Sequence, residues 1–184
     1  MKDMLAGLRG KIYIFKYKIF NKNIHIENDL KIYKKLRIRG QGKVNIGKNC
    51  VIGGVIGDKN QYVTLGVLRP DATIQIDANV SLYAVRISSK FGVNIGDNTL
   101  IEESGIADTD FHTIEKSRQT PVNENNARCQ IIIGTRVSIG TRSFITKGVK
   151  IGDDTLILPG SVVTSSIQSD SIAQGNPVKI KKKG

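Results

Sequence analysis

The sequence predicts an all-β protein built as a parallel solenoid, and three observations predict it. Reading every sixth residue from Ile133 gives Ile133, Ile139, Ile145, Ile151, Ile157 and Val163, an unbroken aliphatic column. Two places before each stand Ile131, Val137, Ser143, Val149, Thr155 and Ser161, all small or β-branched. Aromatics make up only 5% of the 184 residues and Trp is absent, whereas glycine occurs 19 times, so aliphatic side chains and tight turns must carry the fold.

A period of 3.6 would scatter these positions around a helix, whereas a strand puts residues i and i−2 on one face. Each six-residue unit is therefore a short strand and a turn. One such unit cannot bury its aliphatic alone, so coils must stack into a continuous core. The pattern returns upstream in Ile24/Ile26, Leu30/Ile32, Leu36/Ile38, Val44/Ile46 and Cys50/Ile52, then in Ile74/Ile76, Val80/Leu82, Val93/Ile95 and Thr99/Ile101. It slips near Gly40 and Gln41, between Asp58 and Thr73, and over residues 84–92, which read as insertions. The polar stretch 115–130, EKSRQTPVNENNARCQ, has too little apolar content for the core and is expected to protrude as a loop. The chain thus divides into a basic N-terminal segment, residues 1–23, and a solenoid domain, residues 24–184, with a basic tail over 177–184.

Within residues 1–20, Leu5, Leu8, Ile12, Phe15 and Ile19 form an amphipathic stripe that predicts a short helix. Two roles suit it: a cap over the open end of the solenoid, and peripheral contact of residues 1–20 with an anionic membrane surface. The formal net charge of +12 is concentrated here. Residues 1–48 hold thirteen Lys/Arg against three acids, and the remainder holds fifteen against thirteen. The body is nearly balanced and carries no aromatic stacking platform, which excludes nucleic acid as an expected partner. No apolar run is long enough for a membrane span or a signal peptide. Cys50 and Cys129 lack the density of a disulfide scaffold, and these features together point to the cytoplasm. Two histidines, His25 and His112, cannot build a three-histidine metal centre, so no metal is expected.

The chemistry is expected where the repeat opens, in IADTDFHTI, residues 106–114. His112 stands at the base of the loop with Asp108 and Asp110 close by. A carboxylate that accepts a hydrogen bond from one imidazole nitrogen fixes the tautomer and stabilises the imidazolium formed on proton abstraction. Asp110, two residues from His112, is the preferred orienter. His25, between Ile24 and Ile26, should point outward and be inert. Neither cysteine has a base in sequence range, which argues against thiol catalysis.

NIGDNTLIEES, IGTRVSIGTRSFITKGVKIGDDTLILPGSVVT and the closing AQGNPVKIKKK resemble the hexapeptide-repeat acyltransferases. The resemblance implies a left-handed parallel β-helix and a homotrimer. It implies acetyl-CoA as acyl-donor cosubstrate and a sugar or polysaccharide hydroxyl as acceptor. His112 matches the catalytic histidine of galactoside and maltose O-acetyltransferases, and DTDFHT looks like the capsule and O-antigen enzymes. By the same resemblance, Thr141, Pro159, Thr164 and Ser165 match coil positions along a CoA groove, and Lys179 and Lys182 match basic residues after the GNP turn. A lysine ammonium suits CoA phosphates in a partly solvated groove. The expected function is an acetyl-CoA-dependent O-acetyltransferase of surface polysaccharide biosynthesis, acting in the cytoplasm or at the inner face of the membrane. The alternatives are amino-sugar N-acetylation and a scaffold without chemistry.

Overall fold

A computed structural model describes residues 1–55, 61–110 and 126–183. The chain starts with helix α1 (Lys2–Phe20) and then winds through coils of three strands each. The first coil is β1 (Ile24–Ile26), β2 (Lys31–Ile32) and β3 (Leu36–Gly40); the second is β4 (Lys43–Ile46), β5 (Val51–Gly53) and β6 (Val63–Val67). The third is β7 (Thr73–Ile76), β8 (Ser81–Tyr83) and β9 (Arg86–Ser89), and the fourth β10 (Gly92–Ile95), β11 (Leu100–Glu102) and β12 (Gly105–Ala107). After the short helix α2 (Asn126–Cys129) come β13 (Ile131–Ile133), β14 (Ser138–Ile139) and β15 (Phe144–Ile145), then β16 (Lys150–Ile151), β17 (Leu156–Ile157) and β18 (Val162–Val163). The chain closes with β19 (Ser171–Gln174) and β20 (Lys179–Lys182).

Through β18 every third strand pairs in parallel with its predecessor, giving three sheets: A from β1 to β16, B from β2 to β17 with β19 added in parallel, and C from β3 to β18. Strand β20 then folds back antiparallel on β19, with Ala173 opposite Ile180. Backbone hydrogen bonds join each coil to the next on every face. Gly134 N donates to Ile151 O (2.8 Å), Ser138 N to Thr155 O (2.9 Å) and Phe144 N to Ser161 O (2.8 Å).

The inward column is the one the repeat predicted. Ile133, Ile139, Ile145, Ile151, Ile157 and Val163 are buried, as are the residues two places before each. The small polar members bond inside the coil: Ser161 Oγ donates to Leu158 O (2.5 Å) and Thr155 Oγ1 to Gln168 O (3.2 Å). A hydroxyl at such a position costs little because a corner carbonyl receives it. Asn49, Asn79, Asn98, Arg136 and Asp154 take φ between 54° and 60° at successive corners between sheets A and B. Asn and Asp tolerate this left-handed conformation better than other residues with a Cβ, which lets the chain turn without glycine.

Two expectations need correction. The interruptions over 58–73 and 84–92 contain coil strands, β6 and β9, and Val63, Leu65, Val67 and Ile87 lie in the core. The sheet-C strands of the early coils are long and their corners uneven, so strict six-residue spacing fails while inward alternation persists. Helix α1 does cap the first coil, but not with its predicted stripe. Ala6 and Gly10 are buried, and Tyr13, Ile14 and Tyr17 pack on the core, whereas Leu5, Leu8, Ile12, Phe15 and Ile19 face away.

The helix approaches the coil so closely that a Cβ on Gly10 would lie 1.7 Å from Leu30 O, while a Cβ on Gly7 meets nothing. Gly10→Ala should therefore loosen the cap and lower the urea midpoint despite alanine's better helix propensity. Gly7→Ala should raise stability by about 0.5–1 kcal/mol in the same titration.

Candidate functional site

The candidate site lies at the corner between sheets C and A. There β12 ends in Ala107 and the chain continues as Asp108, Thr109 and Asp110. His112 and residues 111–125 lie outside the described residues. The end of the expected loop does not protrude: α2 returns to the coil, Cys129 is buried, and its carbonyl accepts from Gly148 N at 2.9 Å.

Asp108 is no solvated corner residue. It is fully buried, and its carboxylate gathers the turn of the preceding coil. Oδ2 accepts from Ser89 Oγ (2.8 Å), Phe91 N (2.9 Å) and Gly92 N (2.6 Å), while Oδ1 accepts from Lys90 N (2.6 Å). All four donors belong to residues 89–92, where the chain passes from sheet C to sheet A. The negative charge is held by oriented N–H groups rather than by a cation. Its spatial neighbours are sixteen or more positions earlier, so local spacing gave no signal for this role.

Asp110 stands just outside that knot, half-exposed, and ion-pairs with Lys147 on the corner of the next coil. The sequence offered no hint of Lys147. Thr164 and Ser165 occupy the same corner one coil further on, exposed to solvent. Beside Lys147, Thr146 Oγ1 donates to Val163 O at 3.0 Å, tying this corner to the strand before Thr164.

Thr141 and Pro159 lie on the opposite edge of sheet C, at its corner with sheet B. Gly160 N donates to Thr141 O at 2.8 Å, so the two turns stack, and Pro159 packs over Gly140, where a Cβ would meet Pro159 Cδ at 2.8 Å. The next turn on this edge, Gln174–Gly175, opens onto a cavity of about 620 Å³. Leu158, Asn176 and Pro177 contribute to its wall, and so do Lys179 and Lys181. Alternation along β20 separates Lys182 from this pair, so the second cation in the cavity is Lys181. Between the two edges, Gly105 leaves room for the Phe144 ring, which a Cβ would meet at 2.6 Å. The predicted residues therefore form two groups: Asp110, Thr164 and Ser165 on one edge of sheet C, and Thr141, Pro159 and Lys179 on the other.

The remaining titratable candidates stay out of this arrangement. His25 is exposed on β1, as expected. Cys50 is buried, its Sγ donates to Asp77 O at 3.2 Å, and burial pushes the thiol up to about 11. A thiol so disfavoured as thiolate makes a poor nucleophile. Among the described residues no cluster of His, Cys, Asp and Glu could hold a metal ion.

The coil carrying these edges matches a family model. Residues 130–165 fit the hexapeptide repeat of succinyl-transferase. Over those residues the chain carries the repeat of the hexapeptide-repeat acyltransferases. Galactoside O-acetyltransferase of Escherichia coli K12 is 32% identical over an alignment of 132 positions that covers 66% of this chain and 64% of that enzyme's length. WbbJ of the same strain, described as an O-acetyl transferase of lipopolysaccharide biosynthesis, is 27% identical over 79% of this chain and 74% of its own. Among solved structures, the N-acyltransferase AntD of Bacillus cereus, in complex with dTDP-4-amino-4,6-dideoxyglucose and coenzyme A, aligns with TM-score 0.64 at 18% identity. That alignment covers 91% of this chain and 87% of AntD. The chain thus has the left-handed parallel β-helix fold that the resemblance implied.

Replacing Asp108 with Asn should expose the knot's dependence on charge. With the amide oxygen on the three donors at Oδ2, the amide nitrogen would face the Lys90 N–H. The loss should be about 2–3 kcal/mol in urea unfolding. In the native protein Cys50 and Cys129, both buried, should react with a thiol reagent only as the chain unfolds.

Proposed function

We propose that the chain transfers an acetyl group from acetyl-CoA to a sugar hydroxyl in surface polysaccharide biosynthesis. The observation that carries the reading is the arrangement of sheet C: a lysine-lined cavity on one edge and, on the other, Asp110, which precedes His112 by two positions in the sequence. The two O-acetyltransferase relatives support hydroxyl transfer. The cavity beside Lys179 and Lys181 has cations suited to CoA phosphates. Thr141 and Pro159 would lie along the pantetheine on the same edge.

His112 accepts the proton of the attacking hydroxyl as that oxygen bonds to the thioester carbonyl carbon. The tetrahedral intermediate then collapses, the carbon–sulfur bond breaks, and the imidazolium returns its proton to the departing CoA thiolate. The products are an acetyl ester and CoA-SH, and the histidine is neutral again. Asp110 orients and stabilises the imidazolium, with Lys147 holding Asp110 in place. Since the donor and acceptor groups lie on opposite edges of one sheet, a homotrimer would bring one subunit's cavity to the next subunit's histidine. A cytoplasmic setting suits a CoA-dependent reaction.

Amino-sugar N-acylation is a second reading, favoured by the fold match to AntD, whose complex holds an amino sugar nucleotide. Thiol release from acetyl-CoA with sugar acceptors tests transfer itself. Hydroxylamine cleavage of the product then separates ester from amide, because only the ester is labile.

His112→Ala should lower kcat by about 10²- to 10⁴-fold, the ordinary contribution of a general base, with little change in the Kd for CoA by calorimetry. Asp110→Asn should lower kcat less, since the base remains. Unchanged turnover in folded His112→Ala protein would remove His112 from the mechanism.

A further inference from the structure

Helix α1 has two apolar faces, and the coil uses one. Opposite Ala6, Gly10, Tyr13, Ile14 and Tyr17, the side chains of Leu5, Leu8, Ile12, Phe15 and Ile19 are 45–67% exposed, joined by Met4 at 72%. At 3.6 residues per turn this outward stripe spans an arc of about 100°. Cations border both margins: Lys2, Arg9 and Lys16 on one, Lys11 and Lys18 on the other, all exposed. The sole acid of the helix, Asp3, lies toward the coil and accepts a hydrogen bond from the Tyr33 hydroxyl at 2.6 Å. The outward surface is therefore apolar along its centre and positive along both sides, with no anion to offset it.

Its alternating spacing of three and four residues would also suit a coiled-coil seam. In a seam between copies of this helix, however, the flanking positions of neighbours face one another, and every charge there is positive. An anionic bilayer satisfies both parts of the pattern. Leu, Ile and Phe side chains enter the acyl boundary, and lysine stems lie along it with their ammonium groups at phosphate level. No helix among the described residues is long and apolar enough to cross a membrane, so the contact is with one leaflet.

We propose that the outward face of α1 docks the capped end of the solenoid onto an anionic lipid surface. The proposal is independent of the acyl-transfer reading, because it concerns the face of α1 turned away from the coils.

The test is flotation of the full chain with phosphatidylcholine vesicles that contain or lack phosphatidylserine. The chain should float with the anionic vesicles, at least about tenfold less with neutral ones, and progressively less as salt rises from about 0.1 to about 0.5 M. Leu8→Glu/Phe15→Glu should abolish flotation by removing the apolar centre. Lys11→Glu/Lys18→Glu should reduce it about tenfold or more by reversing one margin. Both variants change exposed side chains, so circular dichroism and thiol release with a soluble acceptor should match the parent chain. Absence of flotation, equal binding to neutral vesicles, or binding unchanged in both variants would overturn the proposal. So would a drop in oligomer mass in Leu8→Glu/Phe15→Glu with no lipid binding by the parent, which would make the stripe a subunit seam.

Discussion

Every coil must present its inward side chains at the same place as the coil beneath it, and the rest of the structure depends on that constraint. Parallel pairing between coils aligns backbone with backbone, as where Ile133 stands opposite Ile151 and Ile139 opposite Ile157. Side chains then stack in register without choice. A residue of the wrong volume would disturb two neighbours as well as itself, which is why the column is built from Ile, Val and Leu up to Ala173 in β19, while the partner positions accept Ser, Thr and Cys. Those smaller residues survive because corner carbonyls lie within reach of their hydroxyls. Length, by contrast, can differ between corners while the column is kept, as the strands on either side of residues 54–62 and 108–130 show by pairing in parallel with the neighbouring coils.

The same constraint explains where chemistry can be placed. The coil interior is filled with aliphatics, so functional groups are confined to sheet faces and corners. The corner at Asp108 illustrates the division of labour: one carboxylate is consumed in holding residues 89–92, and the next one along, Asp110, stays at the surface within reach of Lys147. Two carboxylates two positions apart thus have unlike surroundings, because β12 ends at Ala107 and the two-residue alternation that would give them one face does not continue through the corner.

The solenoid and its aliphatic column were legible in the sequence because a six-residue period survives wherever corners have equal length. Strands β6 and β9 were hidden because their corners are uneven, although Val63, Leu65 and Val67 alternate as an inward-facing strand should. On α1 the large aliphatics drew attention to the wrong face. The packing face is built from Ala6, Gly10 and tyrosines, whose value lies in close approach rather than hydrophobicity. At the candidate site, His112 and Asp110 were singled out through their neighbourhood in sequence, whereas Lys147, Lys181 and the packing of Asp108 depend on contacts between coils. Residue types alone carry no signal for those.

The strand that turns back at the C-terminal end has a consequence for growth. A parallel solenoid is self-templating: an unprotected last coil offers unpaired backbone to which another coil, from another molecule, can add. Strand β20 runs antiparallel to β19 with Lys179, Lys181 and Lys182 along it, and so occupies the edge of sheet B with a strand of opposite polarity and high charge. At the other end α1 lies across the first coil. Both ends of the stack thereby differ from a bare coil: one carries a helix, and the other a strand whose polarity does not match the parallel repeat.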